Sequence, residues 1–269
     1  MGITFAERVR GGHEENDDVI GTVFTPAALT PAAPEAQMLA SQEALDRGMN
    51  IIRSNYEGPV KKGKLSQEAM DKCMSLITPT LDYKDLASAD LVIEAVFENV
   101  KIKADVTAKT EAVVPETCIF ASNTSTLDVD EIAAATKRPQ DVIGTHFFSP
   151  ANVMKLLENV RGDRSSDTVV ATTMAIGKRI GKVCVMVGVC PGFVGNRMLF
   201  MRGAEAERML LEGATPAQVD NVLYEFGFPM GPFSMSDLAG LDIGWKAEQS
   251  SSSTIREILC ENGRRGQKN

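Results

Sequence analysis

The sequence predicts an α/β protein, a doubly wound sheet followed by a smaller all-helical domain. Three observations point there. From residue 35 to about 188, short apolar runs alternate with longer stretches whose apolar residues recur at helical spacing. The runs are continuous, as in Leu91-Val92-Ile93, which marks strands covered on both faces. After "CPGF" (190–193) no convincing strand run remains, and Gly and Pro punctuate helical segments. The expected organisation is an irregular segment 1–34, a sheet domain 35–188 and a helical domain 189–269.

The first 34 residues are polar and then rich in proline (Pro26, Pro31, Pro34), a loop composition. Within them "DVIGTVFTPA" (18–27) echoes "DVIGTHFFSPA" (141–151), by partial duplication or by chance. In "EAQMLASQEALDRGMNIIRSN", Met38, Leu39, Leu45, Met49 and Ile52 fall at roughly helical spacing, and "SQEAMDKCMSLI" is a second helix. "DLVIEAVFE" is a buried strand, "KIKADVTAKTEAVV" a helix, "CIFASN" a strand and "LDVDEIAAAT" a short helix. "VIGTHFF" and "KVCVMVG" are strands, with "MKLLENV" and the helical "DTVVATTMAIGKRIG" between them. Past Pro191-Gly192, the segments "VGNRMLFMRGAEAERMLLEG", "TPAQVDNVLYEFG" and "FSMSDLAGLDIGWKAEQ" are helical.

The totals exclude several classes of partner. A net charge of −8 disfavours sequence-independent binding to nucleic acid or to anionic membrane. The one dense basic cluster, Lys61, Lys62 and Lys64, reads as a solvated turn. Five cysteines, with no CxxC and with Cys118 and Cys184 inside apolar runs, suggest buried thiols in a reducing compartment. No signal peptide opens the sequence, and no apolar run approaches the roughly 18 residues of a membrane span. A soluble, intracellular protein is expected.

Chemistry collects where strands end. In a doubly wound sheet, ligands sit at the carboxyl ends of strands. Glu94 and Glu98 follow "DLVI", Ser122, Asn123, Thr124 and Ser125 follow "CIFA", His146 follows "VIGT", and Asn196 lies just past the boundary. A histidine can accept a proton, and a carboxylate on its other nitrogen fixes the tautomer and stabilises the imidazolium; Glu158 is the candidate. Each residue also has a plainer alternative. His146 could be a packed strand-end histidine and Glu158 a surface strand residue. Ser125 and Asn196 could be helix caps, and Lys103 a solvated helix residue.

"ADLVIEAVFENVKIK", "IFASNTSTL", "GTHFFSPANVMKLLE", "CPGFVGNR" and "GPFSMSDLAGLDIG" together resemble the successive motifs of the L-3-hydroxyacyl-CoA dehydrogenase family, its peroxisomal members most. The resemblance implies a Rossmann-type NAD-binding domain and NAD-dependent oxidation of a 3-hydroxyacyl-CoA in fatty-acid β-oxidation. It implies His146 as the catalytic base, Glu158 as its orienting partner, and Ser125 and Asn196 as substrate contacts. Glu98, Lys103 and Asn123 match cofactor contacts. A homodimer through the helical domain and a peroxisomal location are further implications, although "GQKN" is not an SKL-type signal. The departures are equally specific. The family opens with strand, GxGxxG turn and helix, and no GxGxxG occurs here. The expected sheet is therefore an incomplete Rossmann-type one, and the helical domain is shorter than the family's. A non-catalytic acyl-CoA-binding or dimerisation module, and a dehydrogenase of free hydroxy acids, are the alternative readings.

Overall fold

The apolar runs assemble into an eight-stranded sheet among the residues described, which are 2–7, 22–27, 42–243, 245 and 247–268 of a computed structural model. The strands are β1 (Gly2–Glu7), β2 (Thr22–Ala27), β3 (Ile77–Pro79), β4 (Leu91–Glu94), β5 (Ile119–Ser122), β6 (Val142–Phe147), β7 (Leu156–Arg161) and β8 (Val183–Gly188). Their order across the sheet is β3-β2-β1-β4-β5-β6-β7-β8. The centre, β4-β5-β6, is parallel. β2 and β3 are parallel to each other, β1 runs antiparallel to both β2 and β4, and β7 and β8 run against β6.

The continuous apolar runs are explained by two cores. Val92, Phe120, Val142 and Val160 pack with Val129 and Ala133 of α4 (Val129–Ala133) and with Leu86 and Phe193. Their strand neighbours Leu91, Ala121 and Ile143 pack instead with Val169 and Val170 of α5 (Asp167–Arg179). Successive strand residues point to opposite faces, so a sheet buried on both sides needs an apolar residue at every step. Close approach is enforced at Gly144, where an added Cβ would lie 2.7 Å from Val160 Cβ and 2.9 Å from Val129 Cγ2. Among the described residues this unit, residues 1–194, also contains α1 (Gln42–Lys61), α2 (Gln67–Ser75) and α3 (Val100–Glu111). Ser66 caps α2 and Asn99 caps α3 through their side chains.

Two expectations need correction. The segment 1–34, expected to be irregular, contains β1 and β2, while residues 8–21 and 28–34 lie outside those described. β-branched and aromatic residues in "GITFAE" and "TVFTPA" supply the strand propensity, and the second of these is half of the internal echo noted above. Cys118 is buried, as expected, with burial pushing its thiol up to about 12, but Cys184 is only half-buried.

The second unit, residues 195–269, is helical: α6 (Gly195–Leu211), α7 (Pro216–Phe226), α8 (Pro232–Ala239) and α9 (Ile255–Glu261). Thr215 with Gln218, and Thr254 with Glu257, form capping boxes on α7 and α9. Asp220 of α7 accepts the Phe233 and Ser234 N–H groups at 2.9 and 2.8 Å, satisfying the amino end of α8 and joining two helices. No helix among the described residues is long and apolar enough to cross a membrane.

Candidate active site

His146 is carried to the carboxyl edge of the sheet by the two-residue period of β6. It follows Val142 and Gly144 on the face that meets α4. The antiparallel register of β6 and β7 sets Glu158 directly across from it. Nδ1 of His146 lies 2.8 Å from Oε2 of Glu158, with the residues 5% and 1% exposed. The second carboxylate oxygen accepts the Val194 N–H at 3.0 Å. An ionised carboxylate can only accept, so Nδ1 is the donor to it, and in the neutral imidazole Nε2 then carries the lone pair. The surface-strand reading of Glu158 does not describe this residue.

The ring is held by aromatics as well. Phe148 and Phe193 place their ring centroids 4.2 and 5.8 Å from that of His146. Phe193 is fully buried and adopts φ +48°, a left-handed conformation that costs a bulky residue about 1–3 kcal/mol. The turn "CPGF" thus delivers two groups to the pair, the Phe193 ring and the Val194 N–H. The sequence marks that turn as a domain boundary and as part of the "CPGFVGNR" motif, but not as the support of the pair; a bulky residue directly after Pro-Gly is the available signal.

Glu98 organises the loop after β5. Its Oε1 accepts Thr124 Oγ1 at 2.6 Å, the Ser125 N–H and O–H at 2.7 and 3.1 Å, and the Thr126 N–H at 3.0 Å. Burial alone would raise its pKa. The Thr124 hydroxyl, the Ser125 N–H, the Lys103 ammonium and the Thr126 N–H outweigh that, and Glu98 sits below the usual glutamate value. Ser125 is therefore tied to Glu98, and the side-chain cap of α4 is Asp128.

Lys103 departs from the solvated reading offered for it. It is fully buried in α3, and its Nζ donates to Glu94 Oε1 at 2.9 Å, to the Asn123 carbonyl at 3.0 Å and to the Val96 carbonyl at 3.4 Å. It also lies 3.8 Å from Glu98 Oε2. A solvated helix face is excluded, and the ammonium turns inward. Glu94, which ends β4, is fully buried too and takes the Ser122 hydroxyl on its other oxygen at 2.7 Å. Asn123 accepts the Phe147 N–H on its side-chain oxygen at 3.0 Å. Asn196 lies in the first turn of α6, in the helical unit.

The dinucleotide implied by such a fold is matched in part. The carboxyl ends of β4, β5 and β6 gather Glu98, Asn123, Ser125 and His146, a polar edge suited to a nicotinamide and its reacting partner. The diphosphate end is different. A glycine turn needs a first strand parallel to β4 that ends at this same edge. That sheet position is taken by β1, whose register (Phe5 with Ile93, Ala6 with Val92, Glu7 with Leu91) brings its carboxyl end to the amino end of β4. β2 returns in the productive direction, but no glycine occurs in residues 22–41.

A mostly parallel sheet with polar strand ends, followed by a helical unit, is the architecture of a Rossmann-type domain with a helical companion. Residues 34–190 match the 3-hydroxyacyl-CoA dehydrogenase NAD binding domain and residues 192–268 the C-terminal domain of the same enzymes. The chain belongs to the 3-hydroxyacyl-CoA dehydrogenase family. It is 44% identical over 249 residues to a Danio rerio peroxisomal bifunctional enzyme, covering 85% of this chain and 34% of that protein. It is 50% identical over 209 residues to the Homo sapiens protein of that name, covering 70% and 29%. The chain thus spans about a third of these relatives' length. Among solved structures, 3-hydroxybutyryl-CoA dehydrogenase from Escherichia coli superposes with a TM-score of 0.78 at 35% identity, covering 85% of this chain and 51% of that one. (S)-3-hydroxybutyryl-CoA dehydrogenase from Ralstonia eutropha gives 0.76 at 32%, covering 85% of both.

Proposed function

We propose that this chain carries the chemistry of its family, NAD-dependent oxidation of a 3-hydroxyacyl-CoA to the 3-oxoacyl-CoA in fatty-acid β-oxidation. The single observation that supports it best is the buried His146–Glu158 pair at 2.8 Å. A bound nicotinamide supplies hydride acceptance. The chain's own residues supply the proton chemistry. Nε2 of His146 takes the hydroxyl proton as C3 is oxidised, and Glu158, on Nδ1, stabilises the imidazolium and holds the tautomer. Ser125, steadied by Glu98, orients the substrate oxygen. Glu98 and Asn123 line the nicotinamide side. Asn196 is assigned to the substrate on the strength of the family motif.

A second reading, a non-catalytic acyl-CoA-binding module, is favoured by the direction of β1, which leaves the diphosphate without the usual strand and glycine turn. Titrating acetoacetyl-CoA and NADH separately, then assaying reduction of acetoacetyl-CoA, decides between them. Turnover that disappears in His146→Gln supports the enzyme. Acyl-CoA binding without turnover supports the module, and no acyl-CoA binding sinks both. The peroxisomal relatives favour a peroxisomal location, which imaging of the tagged chain tests. Exposed apolar residues on α6 and α7 (Met198, Phe200, Met201, Tyr224, Phe226) favour pairing of two helical units, which sedimentation equilibrium tests.

A further inference from the structure

We propose that Lys103 and Glu94 are positioning residues for the site, a buried ion pair that acts through Asn123 on the strand end carrying His146. The inference rests on the dehydrogenase reading for its consequences, but its structural core is independent of it.

The connections run in one direction. Glu94 ends β4 and receives the Ser122 hydroxyl from the end of β5. Its Oε1 receives the Val96 N–H at 2.6 Å and Lys103 Nζ at 2.9 Å. Lys103 passes to the Asn123 carbonyl, and the Asn123 N–H returns to the Glu94 carbonyl at 2.6 Å. The Asn123 side chain then takes the Phe147 N–H, one residue past His146. One ammonium thereby pins the ends of β4 and β5, and through Asn123 the end of β6. It also stands 3.8 Å from Glu98, which holds the Ser125 loop. Both side chains of the Lys103–Glu94 pair are fully buried. A buried ion pair is often no more stabilising than apolar residues of the same shape; what it adds is fixed geometry. Here that geometry is spent at the edge where the proposed chemistry occurs.

The test separates geometry from folding. In Glu94→Gln/Lys103→Met both charges of the pair go together, so neither fully buried ion is left without its partner. The full chain is followed by amide hydrogen exchange and by imidazole NMR. It has two histidines, His13 and His146, so His13→Gln assigns the ring signals. With the thermal midpoint close to wild type, Phe147 exchange should accelerate about tenfold relative to Ile143, the ratio expected for one hydrogen bond to a charged network. The His146 ring signals should shift, and acetoacetyl-CoA affinity should fall by about the same factor. Asn123→Ala, which removes only the last link, should reproduce the Phe147 effect. A folded double variant with wild-type Phe147 exchange and His146 signals overturns the proposal. Should the double variant not fold, unchanged Phe147 exchange in Asn123→Ala overturns it instead. If the wild-type chain binds no acetoacetyl-CoA, the functional reading fails, yet the exchange data still decide the positioning role.

Discussion

Replacing Glu158 by glutamine changes one atom and should reverse the histidine. The carboxylate accepts from His146 Nδ1 at 2.8 Å and from the Val194 N–H at 3.0 Å. A glutamine has one acceptor and one donor end. If its oxygen keeps Val194, its amide N–H meets Nδ1. The imidazole must then move its proton to Nε2, the nitrogen proposed to take the substrate's proton. If its oxygen keeps Nδ1, two N–H groups face each other at Val194. The second arrangement buries an unmatched donor at a site that is 1% exposed at Glu158, which costs about 1–3 kcal/mol. At roughly 2–4 °C per kcal/mol for a domain of this size, the melting point should drop by a few degrees. Loss of a positioned general base should lower turnover by about 10²–10⁴. Nitrogen chemical shifts of His146 read the tautomer with no cofactor present. Retention of the Nδ1–H form, with unchanged stability, would refute this account of the pair.

Gly144→Ala should destabilise the sheet unit by about 1–3 kcal/mol through overpacking, because the new Cβ meets the Cβ of Val160 at 2.7 Å; denaturant unfolding measures it. Glu98→Gln should cost stability at pH 7 and progressively less in acid. The folded-state pKa of Glu98 is depressed, so its contribution is complete above the ordinary glutamate value of about 4.3 and vanishes as pH falls through the folded value; unfolding at pH 7 and pH 3 compares the two. NADH should bind at least about a hundredfold more weakly than to a relative with the glycine turn, the loss of two charge-assisted hydrogen bonds. Calorimetry returning a micromolar constant would contradict that.

How much of this was legible in advance depends on where each residue finds its partner. Leu91-Val92-Ile93 announces a strand covered on both faces because the information lies within one run, and β4 lies there. His146 and Glu158 were legible as chemical types, but only the antiparallel register of β6 and β7 sets them opposite each other. The burial of Lys103 was not legible because α3 has no clean apolar stripe; it buries Lys103, Thr107 and Thr110 beside Val106. A lysine can be buried only if a carboxylate waits for it, and Glu94 waits on another element, nine residues earlier. Phe193 and Val194 share this dependence, since a turn shows that the chain bends but not what it carries inward.

β1 and β2 were illegible for a different reason. Proline at position 26 lacks the N–H that a ladder uses, and such a residue argues against a strand on sequence grounds. Sheet membership instead follows from pairing: β1 lies between β2 and β4, and β2 between β1 and β3. Strand direction is set in the same way, by neighbours rather than by composition. That has a chemical consequence. The parallel β4-β5-β6 edge collects the side chains to which proton transfer is assigned in the proposed function, whereas the strand beside it points the other way. A polar edge for the reacting group and a backbone cradle for a diphosphate are separable pieces of a Rossmann-type site, the first made of side chains at strand ends and the second of main chain at a turn. In this chain the side-chain piece is assembled around His146, and the direction of β1 decides how much of the other piece it can have.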